Sequence, residues 1–223
     1  TAQATSRSIP KPQPPAMAVV KPNPPKPRSN TPKNTPDAAA KGSGTGFYIN
    51  NTDIVTAAHV IDGCTALALD GGAPLSVILS DSALDLAVLS TARRSASWLP
   101  LSGQTEPKLG EDVVAIGFPY RGLFDQGLTV TGGNISALPS ATDPAKRVML
   151  TSPIQPGNSG GPVLNKGGEV VGVVVSRAND LAVLEGTRTL PQNINFAVST
   201  APLLTFLDKA DVFFPTGTDR AAP

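Results

Sequence analysis

Apolar residues in this chain come in short bursts. Leu75 to Leu79, Leu86 to Leu89, Asp112 to Ile116, Arg147 to Thr151 and Val170 to Val175 are rich in Val, Ile or Leu, and Gly, Pro, Asn or Asp clusters separate them. Runs this short, closed off by turn residues, read as strands. The 21 glycines and 23 prolines in 223 residues also work against long helices. The chain is therefore expected to be mostly β, and the spacing of the runs suits barrels. One helix is expected at about 201–209. Ser199 or Thr200 can cap it, Pro202 suits its first turn, and Leu203, Leu204 and Leu207 form an apolar face.

Residues 1–41 are different material. They hold 10 of the 23 prolines and 7 of the 18 basic residues against a single acid, Asp37. The rest of the chain carries 11 basic and 16 acidic residues, so the net charge of +1 hides a basic arm on an acidic body. The arm reads first as a polyproline-like linker, spacing the remainder from a membrane anchor, cell wall or upstream domain. A second reading makes it a ligand for a proline-recognising module or a polyanionic surface. Within it, Met17-Ala18-Val19-Val20 could supply a first barrel strand, with 21–41 as a long loop.

Several classes of chemistry are poorly supported. No apolar run approaches the roughly 18 residues needed to span a bilayer. One histidine and one cysteine cannot furnish a typical zinc site, and the Gly-rich stretches lack the Gly-Lys-Ser/Thr ending of a phosphate loop. Only 10 residues are aromatic, none before Phe47, so the basic arm lacks the interleaved aromatics of a nucleic-acid binder. No metal, cofactor or nucleic acid is expected. Cys64 cannot form an intrachain disulfide and reads as a small buried hydrophobe or an inert thiol. Trp98 reads as a packing residue of core or edge.

Gly157-Asn158-Ser159-Gly160-Gly161-Pro162, between two strand-like stretches, reads as a nucleophile loop. A serine hydroxyl needs a base to take its proton and donors to hold the oxyanion it creates. Gly157 lets the backbone turn its own N–H and that of Ser159 into one hole, and Gly160 and Gly161 allow close approach. The only histidine, His59, follows Ile54-Val55-Thr56-Ala57-Ala58, just past an expected strand. Imidazole, with a reference pKa near ~6.5, can accept the serine proton and return it to a leaving amine. Asp85 lies between apolar residues, where a hydrogen bond to the imidazole would offset its burial. Asp81 reads as a solvated turn residue, and Asp62, followed by Gly63, as part of a turn.

The chain resembles the chymotrypsin-fold serine proteases, most closely the bacterial HtrA-like (trypsin-like) peptidases. The match runs over about residues 42–209. It rests on Gly42-Ser43-Gly44-Thr45-Gly46-Phe47, the His59 and Asp85 blocks, Ala115-Ile116-Gly117-Phe118-Pro119 with Val130 to Ser136, the Ser159 block, and Asn193 to Val198. The resemblance implies an all-β fold of two antiparallel Greek-key barrels, about 42–102 and 110–200, followed by the short helix and a 210–223 tail. It also implies a triad of His59, Asp85 and Ser159, with the Gly157 and Ser159 amides as oxyanion hole. The order His, Asp, Ser differs from that of an α/β-hydrolase, whose acid and histidine follow the serine.

From the same resemblance come expectations about control and specificity. Pancreatic-type relatives carry an aspartate before the nucleophile; Asn158 stands here, and no Ile-Val-Gly-Gly-like start exists for zymogen activation. Activity would instead depend on loop order, the candidate loop being Tyr120 to Gly127. The primary pocket would have Pro153 and Ile154 at its base and Asn195, Phe196 and Ala197 as its wall, favouring a small to medium apolar residue before the scissile bond. Protein or peptide substrates, a periplasmic or extracellular setting, and no room for a PDZ domain after the helix complete the expectation. The rival reading is a catalytically idle module that binds peptides or partner proteins.

Overall fold

The computed structural model describes residues 42–120, 127–175 and 195–217. The basic arm, most of the 120–127 loop and Asn193 with Ile194 lie outside them. Among the described residues, ten strands and two helices are defined: β1 (Phe47–Tyr48), β2 (Asp53–Thr56), α1 (Ala58–Ile61), β3 (Ser76–Asp81), β4 (Leu86–Ser90), β5 (Asp112–Gly117), β6 (Thr129–Ala137), β7 (Arg147–Leu150), β8 (Pro162–Leu164), β9 (Val170–Val175), β10 (Asn195–Ser199) and α2 (Thr200–Lys209).

The second half closes as a barrel in the order β10-β7-β6-β5-β8-β9, every pair antiparallel. Strands β5, β6 and β7 form a meander, and β8 returns to lie beside β5, which is a Greek key. The barrel interior is a cluster of Val113, Ala115, Ile135, Val148, Leu150, Ile154, Val163, Val174 and Ala197. Alternation delivers it: Val113 and Ala115 of β5 point inward, while Val114 and Ile116 pack outward on the larger core.

The first half is a four-stranded antiparallel sheet in the order β1-β2-β4-β3, so the described residues close one barrel rather than two. Much of 62–75, where a first barrel would need continuous pairing, is turn. Gly63, Gly71 and Gly72 have positive φ, and only the isolated bridge of Ala68 with Pro74 is formed there. Strand β4 is buried on both faces, which is why its sequence is a continuous apolar run. Leu86 and Val88 face the main core, whereas Ala87 and Leu89 face a smaller cluster with Ile54.

The main core fuses the sheet to the outside of the barrel. Phe47, Ile49, Val55, Leu86 and Val88 meet Leu164, Val170, Val173, Val175 and Val198, and α2 adds Leu203, Phe206 and Leu207. The helix starts where expected, although Ser199 makes no side-chain cap; Thr200 Oγ1 instead donates to the Val171 carbonyl at 3.0 Å. Beyond α2 the chain returns to the connection between β4 and β5, where Leu101 N–H donates to the Pro215 carbonyl. The structure removes one alternative from each of two readings. Cys64 is exposed rather than buried, because it follows the short α1 turn on the surface. Trp98 is 44% exposed, so it covers an edge and not a core.

The turn into β7 is held by one carboxylate. Asp143 accepts from the Ala145 and Arg147 N–H groups and from Arg147 Nε and Nη2, all at 3.0–3.1 Å. The Arg147 hydrogen bond holds the Asp143 carboxyl below its ordinary value, against the opposing effect of burial. A lowered folded-state pKa gives stability that is full above the ordinary aspartate value and lost as pH falls through the lowered one. Asp143→Asn is expected to cost about 0.5 kcal/mol at pH 7, the scale of a partly exposed pair, and to shift Tm by about 1–2 °C. The deficit should shrink in thermal melts at acid pH.

Candidate active site

Strand β2 ends at Thr56, and buried Ala57 and Ala58 turn the chain into the single turn α1 that carries His59. Gly44 lets this turn seat closely, since a β-carbon there would lie 2.5 Å from Val60 Cγ1. The register of β2 with β4, Thr56 opposite Ala87, brings the turn beside Asp85. Asp85 directly precedes β4 and has φ +57, the left-handed region that aspartate tolerates better than most residues. Its carboxylate grips His59 three times. Oδ1 accepts the His59 backbone N–H at 2.9 Å, and Nδ1 lies 2.8 Å from Oδ2 and 3.0 Å from Oδ1.

That geometry fixes the imidazole tautomer. A carboxylate only accepts, so Nδ1 carries the proton, and in the neutral ring Nε2 is left as the basic nitrogen. The pair is open to solvent, with side-chain exposures of 41% for His59 and 23% for Asp85. Asp85 is therefore half-buried, more open than its apolar flanks suggest. Asp81 Oδ1 accepts from the Ala83 and Leu84 N–H groups, ordering the hairpin that delivers Asp85.

Ser159 stands on the connection between β7 and β8, and that connection lies directly on the first sheet. Thr45 N–H donates to the Ser159 carbonyl at 2.9 Å. Gly160, at φ +82, is so close that a β-carbon would overlap Thr56 Oγ1 and the Thr45 carbonyl and come within 2.7 Å of Ala57 N. Ala57 is two residues from His59, so Gly160 is what lets the serine loop reach the histidine turn. Gly160 N–H and the Gly161 carbonyl pair with Val174 on β9, which anchors the loop to the barrel.

Gly157 has φ +100, and a β-carbon there would meet the Phe118 carbonyl at 2.6 Å. The Pro156 carbonyl accepts Tyr120 N–H at 2.9 Å. In a trans peptide C=O and N–H point oppositely, so Gly157 N–H faces away from Tyr120. Tyr120 OH also donates to Gln155 Oε1 at 2.7 Å. Asn158 is buried against Gly117, and its Oδ1 has no hydrogen-bond partner among the described residues.

The expected pocket residues fall on adjoining segments with different surroundings. Pro153 is exposed, Ile154 and Ala197 are in the barrel interior, and Phe196 packs partly buried on the main core. Asn195 is buried and donates from Nδ2 to the Ser152 carbonyl at 2.8 Å, joining β10 to the 152–154 segment. One residue the motif reading passed over is Thr45, whose hydroxyl and backbone touch Gly157, Phe118, Ser159 and Thr56. A hydroxyl between two glycines, Gly44 and Gly46, was the available signal.

A Greek-key barrel beside a second antiparallel sheet, with a histidine–aspartate pair at the end of the sheet and a glycine-flanked serine on the connection into β8, is the layout of the chymotrypsin-like fold. A family model described as a trypsin-like peptidase domain matches residues 44–173, and the chain belongs to that family. A Sinorhizobium fredii protein, y4bJ, is 36% identical over 184 residues, covering 80% of this chain and 29% of its own length. A Synechocystis protein that bears the serine protease name HhoB is 32% identical over 194 residues, covering 82% of this chain and 42% of its own. A DegP-like protein of Pseudomonas savastanoi, named as a periplasmic serine endoprotease, is 37% identical over 163 residues, with 66% and 33% covered. The crystal structure of the serine endoprotease from Yersinia pestis superposes with a TM-score of 0.60 at 29% identity, over 78% of this chain and 59% of that one. The chain thus spans less than half the length of these sequence relatives. None of their names favours an idle peptide-binding module.

The close approach at Gly160 gives a direct test. Gly160→Ala should cost about 2 kcal/mol or more, through left-handed strain and overlap with backbone that cannot yield. Thermal unfolding would show it as a fall in Tm of several degrees, whereas Gly168→Ala, in open space at φ +76, should show the strain alone.

Proposed function

We propose that this chain is the protease part of a serine endopeptidase that cleaves proteins or peptides through an acyl-enzyme. The observation that carries the reading is the threefold hold of Asp85 on His59, beside a serine loop that lies against Thr56 and Ala57. In this reading Ser159 Oγ attacks the scissile carbonyl carbon while His59 Nε2 takes its proton. Asp85 holds Nδ1 and stabilises the imidazolium. The Gly157 and Ser159 N–H groups receive the oxyanion. As the tetrahedral intermediate collapses, the C–N bond breaks and Nε2 gives its proton to the departing amine. Water, deprotonated by the same nitrogen, then hydrolyses the acyl ester and restores Ser159.

The functional unit is read as residues 42–209, with 1–41 as a Pro-rich basic linker. The substrate residue before the scissile bond is read as small to medium and apolar, bound near Pro153 and Ile154 and the start of β10 at Asn195, Phe196 and Ala197. The Asn195 to Ser152 hydrogen bond supports the idea that these two segments form one surface. No charged side chain stands at Pro153, Ile154 or 195–197 to select an acidic or basic residue. Relatives named as periplasmic support an exported setting.

The test is hydrolysis of an unfolded protein substrate with cleavage sites mapped by mass spectrometry. Wild type is expected to cut after Ala, Val, Leu or similar residues. Ser159→Ala and His59→Ala should lose about 10⁶-fold, and Asp85→Asn about 10⁴-fold through the wrong imidazole tautomer. Undiminished cleavage by Ser159→Ala would overturn the mechanism, and sites dominated by Arg, Lys or Glu would overturn the pocket.

A further inference from the structure

The weakest point of a glycine-built oxyanion hole is the glycine itself. Gly157 can rotate the peptide plane on either side of it at little steric cost: rotating the Pro156–Gly157 plane would turn the Gly157 N–H out of the hole, and rotating the Gly157–Asn158 plane would shift the backbone that joins Gly157 to Ser159. Hydrogen bonds hold both planes. The Pro156–Gly157 plane is held by Tyr120 N–H on the Pro156 carbonyl, at 2.9 Å. The Gly157–Asn158 plane is held within its own loop by Asn158 N–H on the Gln155 carbonyl at 3.0 Å, and from the first sheet by Thr45 Oγ1, which donates to the Gly157 carbonyl at 2.7 Å. The same hydroxyl accepts Phe118 N–H at 3.0 Å, so its one proton is committed to Gly157.

Thr45 belongs to the segment leading into β1 and is only 4% exposed. Its backbone is also occupied: N–H donates to the Ser159 carbonyl, and the carbonyl accepts Thr56 Oγ1 at 2.7 Å. Three elements therefore converge on one residue: the end of β2 that leads to His59, the Phe118 segment after β5, and the serine loop. We propose that Thr45 is a positioning residue whose hydroxyl latches the oxyanion-hole peptides of the barrel to the sheet that carries the histidine. The inference rests on Ser159 being the nucleophile. Thr45 acts through Gly157 and has no contact with substrate in this role.

A side-chain latch can be removed without touching the backbone bonds. Thr45→Val keeps shape and loses the hydroxyl, Thr45→Ser keeps the hydroxyl, and Thr45→Cys keeps most of the volume with a weaker donor. Peptide hydrolysis would be measured for each, with rates normalised to active sites titrated by a fluorophosphonate, so that a partly unfolded preparation does not count as a slow enzyme. Removing an oxyanion donor outright costs about 10²–10³ in kcat, so loosening one should cost about 10- to 100-fold. Thr45→Val is expected to lose that much in kcat with KM within about threefold, Thr45→Ser to stay near wild type, and Thr45→Cys to fall between. A purely structural role would lower Tm and the titrated fraction but leave kcat per active site unchanged, and that result would overturn the latch. So would equal impairment of Thr45→Ser and Thr45→Val. Ser159→Ala run alongside separates the two claims. If wild type and Ser159→Ala react alike, the nucleophile reading falls and the latch with it. If wild type reacts and Thr45→Val keeps pace, only the latch falls.

Discussion

Everything at this site depends on how closely the serine loop lies on the first sheet. There is no room for a β-carbon at Gly160 between the loop and Thr45, Thr56 and Ala57. A single methyl there would move the serine connection away from the turn that carries His59. The two halves are also joined by a large apolar core, but apolar packing is non-directional and tolerates small slides. The hydrogen bonds of Thr45 to Ser159, Gly157, Phe118 and Thr56 add the direction that packing lacks.

Local strain is collected at the same place. Among the described residues, four other than glycine have positive φ, and two of them are Asp85 and Tyr120. Among the described residues, two buried side-chain oxygens have no hydrogen-bond partner, Ser152 Oγ and Asn158 Oδ1, and they bracket the run that leads into Ser159. Buried polar atoms are normally paired, and left-handed backbone is costly away from glycine. Residues of either kind are held by their surroundings rather than by their own preferences. Asp85 is held by three contacts with His59, and Tyr120 by Pro156 and Gln155.

The sequence was most legible where chemistry and periodicity coincide. The apolar runs at 86–89, 112–116 and 170–175 are strands because alternating or continuous burial demands those residues. His59 and Asp85, far apart in sequence, are brought together as their flanking residues suggested. Less legible was anything decided by which backbone crosses which. Thr45 looks like one more small residue in a Gly-rich entry strand, and only the folded chain reveals the carbonyls around its hydroxyl. Asn195 and Ala197 were read as a pocket wall from their motif alone; that Ala197 lies in the barrel interior and that Asn195 donates to the Ser152 carbonyl are contacts only the folded chain displays. The 62–75 stretch has strand-like residues, but turns with glycines at positive φ interrupt it and leave one isolated bridge. Closure of the first sheet could not be inferred from composition for that reason.

The most direct measurement is intact-protein mass spectrometry after reaction with a fluorophosphonate, followed by peptide mapping of the adduct. If the approach of loop to sheet assembles His59, Asp85 and Ser159 into one site, the folded protein should gain a single adduct on Ser159, and His59→Ala should gain it far more slowly. A folded wild-type protein that gains no adduct, or gains one on another residue, would contradict the assembly of the site.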